Sequence, residues 1–155
     1  MKETDRTGRD TGNGVFRNMR RQNYLVGEME AVYHEMALKL GMSDSAMRIL
    51  YVVCDSGESC LLQKICRYSG LSKQTINSAL RKLETEGILY LEPAGGKNKR
   101  VCLTEEGRLL TARTAGRVYG MENDILDAWP REDVQKYLEL MERYLHDLQE
   151  RAGEL

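Results

Sequence analysis

The sequence is poor in residues that interrupt helices or build large β-sheets. Its 155 residues include one Trp, one Phe and two Pro, whereas the helix-favouring Leu, Met, Glu, Lys and Arg are plentiful. A chain of this length corresponds to one domain with a substantial core. Together these features predict a single, mainly α-helical domain.

Long apolar runs are also missing. No stretch reaches the roughly 18 consecutive apolar residues that suggest a membrane-spanning helix, so no contact with a membrane is expected. The first residues, MKETDRTGRDTGNG, are polar and lack the apolar centre of a secretory signal. We therefore expect a cytoplasmic protein in which residues 1–14 form a disordered tail.

The four cysteines form no recognisable metal or redox motif. The spacing of Cys54, Cys60, Cys66 and Cys102 matches neither the common zinc-ligand patterns nor CxxC. In a cytoplasmic protein they are expected to be reduced thiols that behave as small apolar side chains. The alternative is a thiol sensor of oxidants. In that case Cys60, beside a turn, would be the most accessible, since the other three lie in apolar patterns.

Residues that would support catalysis or cofactor binding are scarce too. His34 and His146 have no nucleophile or metal-ligand pattern near them, and the sequence has no glycine-rich phosphate loop and no HExxH motif. Helix capping explains the acidic pair Glu105 and Glu106. No catalytic residue, metal site or cofactor is therefore assigned, and an enzyme is not expected.

Charge, in contrast, is strongly separated along the chain. Between Leu61 and Leu103 there are eight basic and three acidic residues, a net charge of +5. Between Met121 and Leu155 there are four basic and ten acidic residues, a net charge of −6. This separation indicates a polyanionic partner for the middle segment.

Apolar residues at helical spacing predict long amphipathic helices on both sides of that segment. One begins near residue 15 and ends at Gly41. A second, capped by Thr104, is expected to continue to the break at 128–130, and a final helix covers about 131–151. The apolar stripes of the first and last helices are too large for one small chain to cover, so a partner surface is expected.

The middle segment predicts a helix-turn-helix followed by a β-hairpin. A densely apolar helix capped by Ser43 precedes a short helix at 62–68 and a turn at 69–71. The stretch LSKQTINSALRKLETEG then forms a helix that Ser72 caps and Gly87 ends. Two β-prone runs, at 88–91 and 100–103, flank the turn-forming PAGGKN and would form the hairpin.

The polar face of the helix in LSKQTINSALRKLETEG is rich in hydrogen-bond donors and has no carboxylate before Glu84. A helix fits the major groove of DNA, where Gln and Asn can each form paired hydrogen bonds with adenine. Residues 73–78 are predicted to read bases, and the other basic residues to hold the DNA backbone. The candidate DNA-binding residues are Lys64, Arg67, Ser72, Lys73, Gln74, Thr75, Asn77, Ser78, Arg81, Lys82, Lys97, Lys99 and Arg100. The alternative is a winged helix that binds a protein instead of DNA.

Residues 43–110 resemble the MarR family of bacterial transcriptional regulators. The resemblance rests on SDSAMRILYVVCDSG, on LLQKICRYSGLSKQTINSALRKLETEGILY and on KRVCLTEEG. It implies a winged helix-turn-helix DNA-binding domain at 43–103 with a two-stranded β wing, and dimerisation helices at 15–42 and 104–155. The resemblance further implies a homodimer that binds double-stranded DNA at a pseudo-palindromic operator, most often as a repressor.

Two further expectations come from the same resemblance. Many family members carry an Asp and paired Arg residues in the wing, whereas this wing reads GGKNKR, and Arg100 is the closest match to the wing Arg. Family members also often bind phenolic or lipophilic effectors between the winged domain and the dimer helices. The candidate ligand contacts are Tyr24, Tyr33, Arg48 and Tyr51, for which packing or rim roles are the alternative.

Overall fold

The computed structural model describes residues 14–155, with side chains from residue 18 onward, so the tail expected at 1–14 lies almost wholly outside the described residues. Seven helices and three strands occur in that range, which confirms a mainly helical fold. Their order is α1 (Gly14–Lys39), α2 (Asp44–Asp55), β1 (Ser59–Leu61), α3 (Leu62–Tyr68), α4 (Lys73–Thr85), β2 (Leu89–Pro93), β3 (Lys99–Leu103), α5 (Glu105–Arg113), α6 (Ala115–Asp127) and α7 (Arg131–Ala152).

Helix α2 lies at the centre of the core because apolar residues cover most of its circumference. Ile49, Leu50 and Val53 are completely buried. The helix begins at the predicted cap, where the Ser43 hydroxyl accepts a hydrogen bond from the Ala46 amide at 3.2 Å. Helices α3, α4 and α6 all pack against α2. The helix-turn-helix and α6 are therefore joined through one buried element.

Helix α4, the helix of the LSKQT stretch, is anchored by one side only. Its stripe of Ile76, Leu80 and Leu83 is buried, as the spacing predicts. The Ser72 hydroxyl accepts from the Thr75 amide at 3.2 Å, which confirms the predicted N-cap. Gly87, with φ of 73°, ends the helix in the left-handed region that favours glycine. The polar side of α4 is left for solvent or a partner.

The sheet has three antiparallel strands in the order β1-β3-β2, one more than the predicted hairpin. The hairpin itself is confirmed, with a register from Leu89 opposite Leu103 to Pro93 opposite Lys99. The additional strand β1 pairs with β3 from the other side. At three residues β1 is too short to show an alternating pattern, so hydrophobic periodicity could not reveal it.

The prediction of one continuous helix from Thr104 to about residue 128 is wrong. The chain breaks at Thr114, whose φ of −123° and ψ of −98° are not helical, and α5 and α6 are separate helices. The hydroxyl of Thr114 is buried and donates to the Leu110 carbonyl at 2.7 Å. A threonine that bonds back to the carbonyl four residues earlier commonly bends a helix, and here the bend lets α6 pack on α2.

Apolar side chains on the outer helices α1 and α7 are exposed in the protomer. Helix α7 has no buried residue, although it carries the apolar stripe seen in the sequence. No helix within residues 14–155 is both long enough and apolar enough to cross a bilayer. The exposed stripes include Leu25, Val26, Met29 and Val32 on α1 and Leu138, Met141, Leu145 and Leu148 on α7.

Helix α5 approaches the start of β2 most closely at Gly107. A Cβ atom at this position would lie 1.9 Å from the carbonyl oxygen of Ile88. Thr104 holds the two segments together, since its hydroxyl donates to the Gly87 carbonyl at 2.6 Å and accepts from the Gly107 amide at 3.0 Å. Thr104 and Gly107 therefore both contribute to the same contact, which joins the start of α5 to the segment before β2.

We expect Gly107→Ala to lower the free energy of unfolding by about 1–3 kcal/mol, because the added methyl forces the backbone apart. Urea unfolding followed by circular dichroism measures the change. Gly27→Ala is the matched control, since a Cβ at Gly27 meets nothing within 4 Å. The control should leave stability unchanged or raise it by about 0.5–1 kcal/mol. Equal losses from both substitutions would contradict the close approach at Gly107.

Candidate nucleic-acid interface and adjoining cavity

The polar side of α4 presents its donors to solvent. The exposed residues are Lys73, Gln74, Thr75, Asn77, Ser78, Arg81 and Lys82. Ser72 and Thr75 are also engaged in the cap, with their hydroxyl oxygens 2.8 Å apart. The side chains of Gln74 and Asn77 therefore remain the best placed amide groups for reading base edges.

The basic residues near α4 fall into two groups. Lys64 Nζ lies 3.5 Å from Asp55 Oδ2, and the Lys64 side chain is only 37% exposed. The Arg67 guanidinium stacks on the Tyr68 ring, 5.5 Å from its centroid. No ion pair within residues 18–155 involves the other predicted bases, which are Lys73, Arg81, Lys82, Lys97, Lys99 and Arg100. The basic residues of α4 and the wing thus form no ion pair in the described part of the chain, whereas Lys64 has an acidic neighbour in Asp55.

The tip of the wing is fastened to the helix-turn-helix. Gly95 and Gly96 have φ of 94° and 57°, which allows the tight turn. Gln63 Nε2, on α3, donates to Asn98 Oδ1 at 3.0 Å. Arg100 lies on β3 directly opposite Glu92 on β2, so Glu92 is the acid closest to it in the register of the hairpin. A hydrogen bond therefore joins the basic tip of the wing to α3.

A cavity of about 540 Å³ lies where α1, α2 and α6 meet, and we refer to it as the α1–α2–α6 cavity. Three of the four predicted ligand contacts, Tyr33, Arg48 and Tyr51, line it. Tyr24 is not among its lining residues and is 64% exposed. Its size falls in the range of about 300–1,000 Å³ that is usual for small-molecule sites.

Glu122 on α6 joins two tyrosines inside this cavity. The hydroxyls of Tyr33 and Tyr51 donate to its Oε1 and Oε2 atoms respectively. Burial and the hydrogen bond to Glu122 raise the pKa of Tyr33 to about 12, and the same causes raise the pKa of Tyr51. Both hydroxyls therefore keep their protons at neutral pH, and Glu122 is the acceptor of both bonds.

Sequence reasoning missed Glu122, and no local signal would have found it. It is 71 positions from Tyr51 and belongs to the acid-rich run ENDILD, which reads as an ordinary solvated helix face. The two basic groups of the cavity are already engaged elsewhere. His34 Nδ1 lies 2.8 Å from Asp44 Oδ2, and Arg48 Nη1 donates to the Ser69 carbonyl at 3.3 Å.

The prediction that Cys60 is the most accessible cysteine is wrong. Strand β1 places Cys60 in the core, where it is only 4% exposed, and burial raises the pKa of its thiol. Cys102 is also buried, and Cys54 is half-buried. Cys66 on α3 is the exposed cysteine, although its apolar neighbours in the sequence suggested burial.

The hydrogen bond from Tyr33 to Glu122 predicts a loss of stability at alkaline pH. The folded protein holds the Tyr33 proton up to about pH 12, whereas an unfolded tyrosine loses it near its ordinary value of 10.0. Stability from this group is therefore complete below pH 10 and is lost towards pH 12. Urea unfolding should show a steeper alkaline loss for the parent than for Tyr33→Phe. Tyr24→Phe should follow the parent, and indistinguishable curves for all three proteins would contradict the assignment.

Comparison with known proteins gives both a family and a fold. The MarR family model matches residues 40–100. No curated protein has significant sequence similarity to the chain. NMB1585, a MarR family regulator from Neisseria meningitidis, has a similar structure with a TM-score of 0.76 at 13% identity, covering 88% of this chain and 97% of its own.

Two further solved structures are similar. A MarR family transcriptional regulator from Silicibacter pomeroyi has a TM-score of 0.66 at 20% identity, covering 81% of this chain and 86% of its own. NadR, solved in complex with 4-hydroxyphenylacetate, has a TM-score of 0.65 at 14% identity, covering 88% of this chain and 95% of its own. These structures establish the fold, and the family model identifies the segment that carries the helix-turn-helix. The resemblance predicted from the sequence is thus confirmed: residues 40–100 match the MarR family model, and the chain has the winged helix-turn-helix fold of MarR family structures.

Proposed function

We propose that the protein is a ligand-responsive repressor that binds a pseudo-palindromic operator as a homodimer in the cytoplasm. The observation that carries the proposal is the polar side of α4. Its exposed amide donors lie among basic side chains that form no ion pair in the described structure. A helix that is anchored by its apolar side, and whose polar side carries positive charge without acidic partners, is suited to enter a major groove. The basic side chains would replace the counterions that are condensed on the DNA phosphates.

Each part of this surface has a distinct role in the proposal. Gln74 and Asn77 read base edges, because their amides can form paired hydrogen bonds with adenine. Arg81 and Lys82 hold phosphates on either side of α4. Lys97 and Lys99, on the fastened wing tip, follow the backbone or the minor groove. Lys64 contributes less than the other basic residues, since it would have to leave its contact with Asp55 to reach a phosphate.

The exposed apolar stripes of α1 and α7 support the homodimer. Both stripes would be costly to leave in water, and a second copy of the chain offers the same apolar surface in return. A two-fold axis through these helices would present two copies of α4. Reading a pseudo-palindrome requires such a pair, placed about one helical turn of DNA apart.

The α1–α2–α6 cavity supports a response to a small molecule. It is lined both by α2, which belongs to the DNA-binding domain, and by α1 and α6, which belong to the proposed dimerisation region. A ligand there would contact both parts and could favour one relative placement over another. The 4-hydroxyphenylacetate bound by NadR supports the existence of effector sites on this fold.

Asn77→Ala and Gln74→Ala should each cost about 1–3 kcal/mol of discrimination between operator and random DNA, because each removes a paired contact to a base. Fluorescence anisotropy with the protein's own upstream DNA, measured over a salt series, gives both affinities. Lys97→Ala is the control. It should lower the affinities for operator and random DNA alike, and reduce the slope of log affinity against log salt concentration by about one.

Two outcomes would contradict this assignment. If Asn77→Ala and Gln74→Ala bound operator and random DNA as the parent does, α4 would not be the reading helix. If the parent itself bound no DNA at low salt, the surface would fit a protein-binding winged helix, which is the competing class of function. A protein partner would then be sought on the same face of α4.

Leu145→Glu should convert the dimer to a monomer and lower operator affinity, because it places a charge in the middle of the α7 stripe. Sedimentation equilibrium measures the change in mass. Leu109→Glu is the matched control, since Leu109 is an exposed leucine on α5 outside the stripe. A parent protein that sediments as a monomer, or a variant that remains dimeric, would contradict the proposed interface.

A further inference from the structure

The α1–α2–α6 cavity carries an excess of acidic groups. Three carboxylates line it, from Glu30, Asp44 and Glu122, against the single guanidinium of Arg48 and the imidazole of His34. Asp44 has a hydrogen-bond partner in His34, whose Nδ1 lies 2.8 Å from Asp44 Oδ2. No ion pair within residues 18–155 involves Glu30 or Glu122. Two carboxylates therefore remain without a basic partner in the described structure.

Glu122 is held in a fixed position without being neutralised. The tyrosine hydroxyls of Tyr33 and Tyr51 orient its two oxygens, but hydroxyl groups bring no positive charge. The surrounding lining includes Met36 and Val118, which offer no polar partner. A half-buried carboxylate in such surroundings is stabilised by an incoming cation and destabilised by an incoming anion.

The aromatic lining fits a cation as well. The rings of Tyr33, Tyr51 and Tyr68 all contribute to the cavity wall. The faces of tyrosine rings attract positive charge, and Tyr68 already does so with the Arg67 guanidinium at 5.5 Å. Apolar side chains such as Met47 complete the wall, so a ligand with a large hydrocarbon surface would be favoured.

We propose that the α1–α2–α6 cavity selects a lipophilic cation, with the charge beside Glu122 and the hydrocarbon part against the tyrosine rings. This inference rests on the effector site of the proposed function and specifies the class of ligand that the site takes. The competing ligand is an aromatic acid bound through Arg48. Arg48 is exposed and hydrogen-bonded to the Ser69 carbonyl, which places its charge at the rim of the cavity.

The first test compares two probes of the same shape and opposite charge, tetraphenylphosphonium and tetraphenylborate, by titration calorimetry with the full-length protein in the absence of DNA. The phosphonium should bind at least about tenfold more tightly than the borate. Equal binding of the two ions would overturn the proposal. Binding of 4-hydroxyphenylacetate or salicylate without binding of the phosphonium would overturn it in favour of an acid held by Arg48.

The second test changes the charge and keeps the shape of the side chain. Glu122→Gln should lose at least about tenfold in phosphonium affinity, because the amide carries no charge, although its oxygen can still accept from one tyrosine and its NH2 can donate to the other. Asp124→Asn is the matched control, since it removes an acid from the same helix outside the cavity and should bind as the parent does. A Glu122→Gln protein that keeps the parent affinity contradicts the role of the carboxylate. Circular dichroism checks that this variant is folded. If it is unfolded, the comparison of the phosphonium with the borate on the parent protein still tests the proposal.

These measurements separate the proposal from the function on which it rests. Calorimetry detects the cation without DNA, and anisotropy detects operator binding without the cation. If the protein bound DNA but preferred the borate, the proposal of a cationic ligand would be refuted and the proposed regulatory function would stand. If the protein bound the phosphonium but no DNA, the proposed DNA-binding function would be refuted. Release of operator DNA by the phosphonium, absent in Glu122→Gln, is the result expected when both hold.

Discussion

The burial of α2 is the constraint on which the rest of the structure depends. Ile49, Leu50 and Val53 require neighbours on several sides, and α3, α4 and α6 provide them. The same helix turns Arg48 and Tyr51 toward the cavity. One buried element therefore supports both the candidate DNA-binding surface and the candidate effector site, and a shift of α2 would affect both of them.

The candidate DNA-binding surface illustrates how a single helix can have one side that anchors it and another that is open to a partner. Ile76, Leu80 and Leu83 fix α4 on the core, so its polar side needs no further support from the protein. Residues on that side are free to be selected for contacts with bases and phosphates. The wing follows the same principle, since Gln63 holds Asn98 in place while Lys97 and Lys99 stay exposed.

Local physics made much of the fold predictable from the sequence. The caps at Ser43, Ser72 and Thr104 were all predicted correctly, because an N-cap is a contact between residues only three positions apart. The features that were missed depend on tertiary contacts. Strand β1 exists only because β3 pairs with it, and the bend at Thr114 depends on how α6 packs against α2.

Errors of this second kind also affected the candidate site. A position beside a turn predicts that Cys60 is accessible, whereas its pairing in β1 buries it, and no sequence pattern brings the residues of the cavity together. Tyr33, Tyr51 and Glu122 lie on three different helices, and their hydrogen bonds join residues 89 and 71 positions apart. The DNA-contacting roles of the α4 residues remain predictions, since they depend on a partner as well as on the fold.

The position of Glu122 determines how a ligand could act on DNA binding. Its carboxylate on α6 connects Tyr33 on α1 with Tyr51 on α2, so it bridges the proposed dimerisation helices and the proposed DNA-binding domain. A ligand shifts an equilibrium only by its difference in affinity for the two states. A compound with equal affinity for the two placements would bind without altering either of them. A cation at Glu122 meets both sides of the bridge, so it can favour one arrangement, and by linkage operator DNA would change its affinity equally.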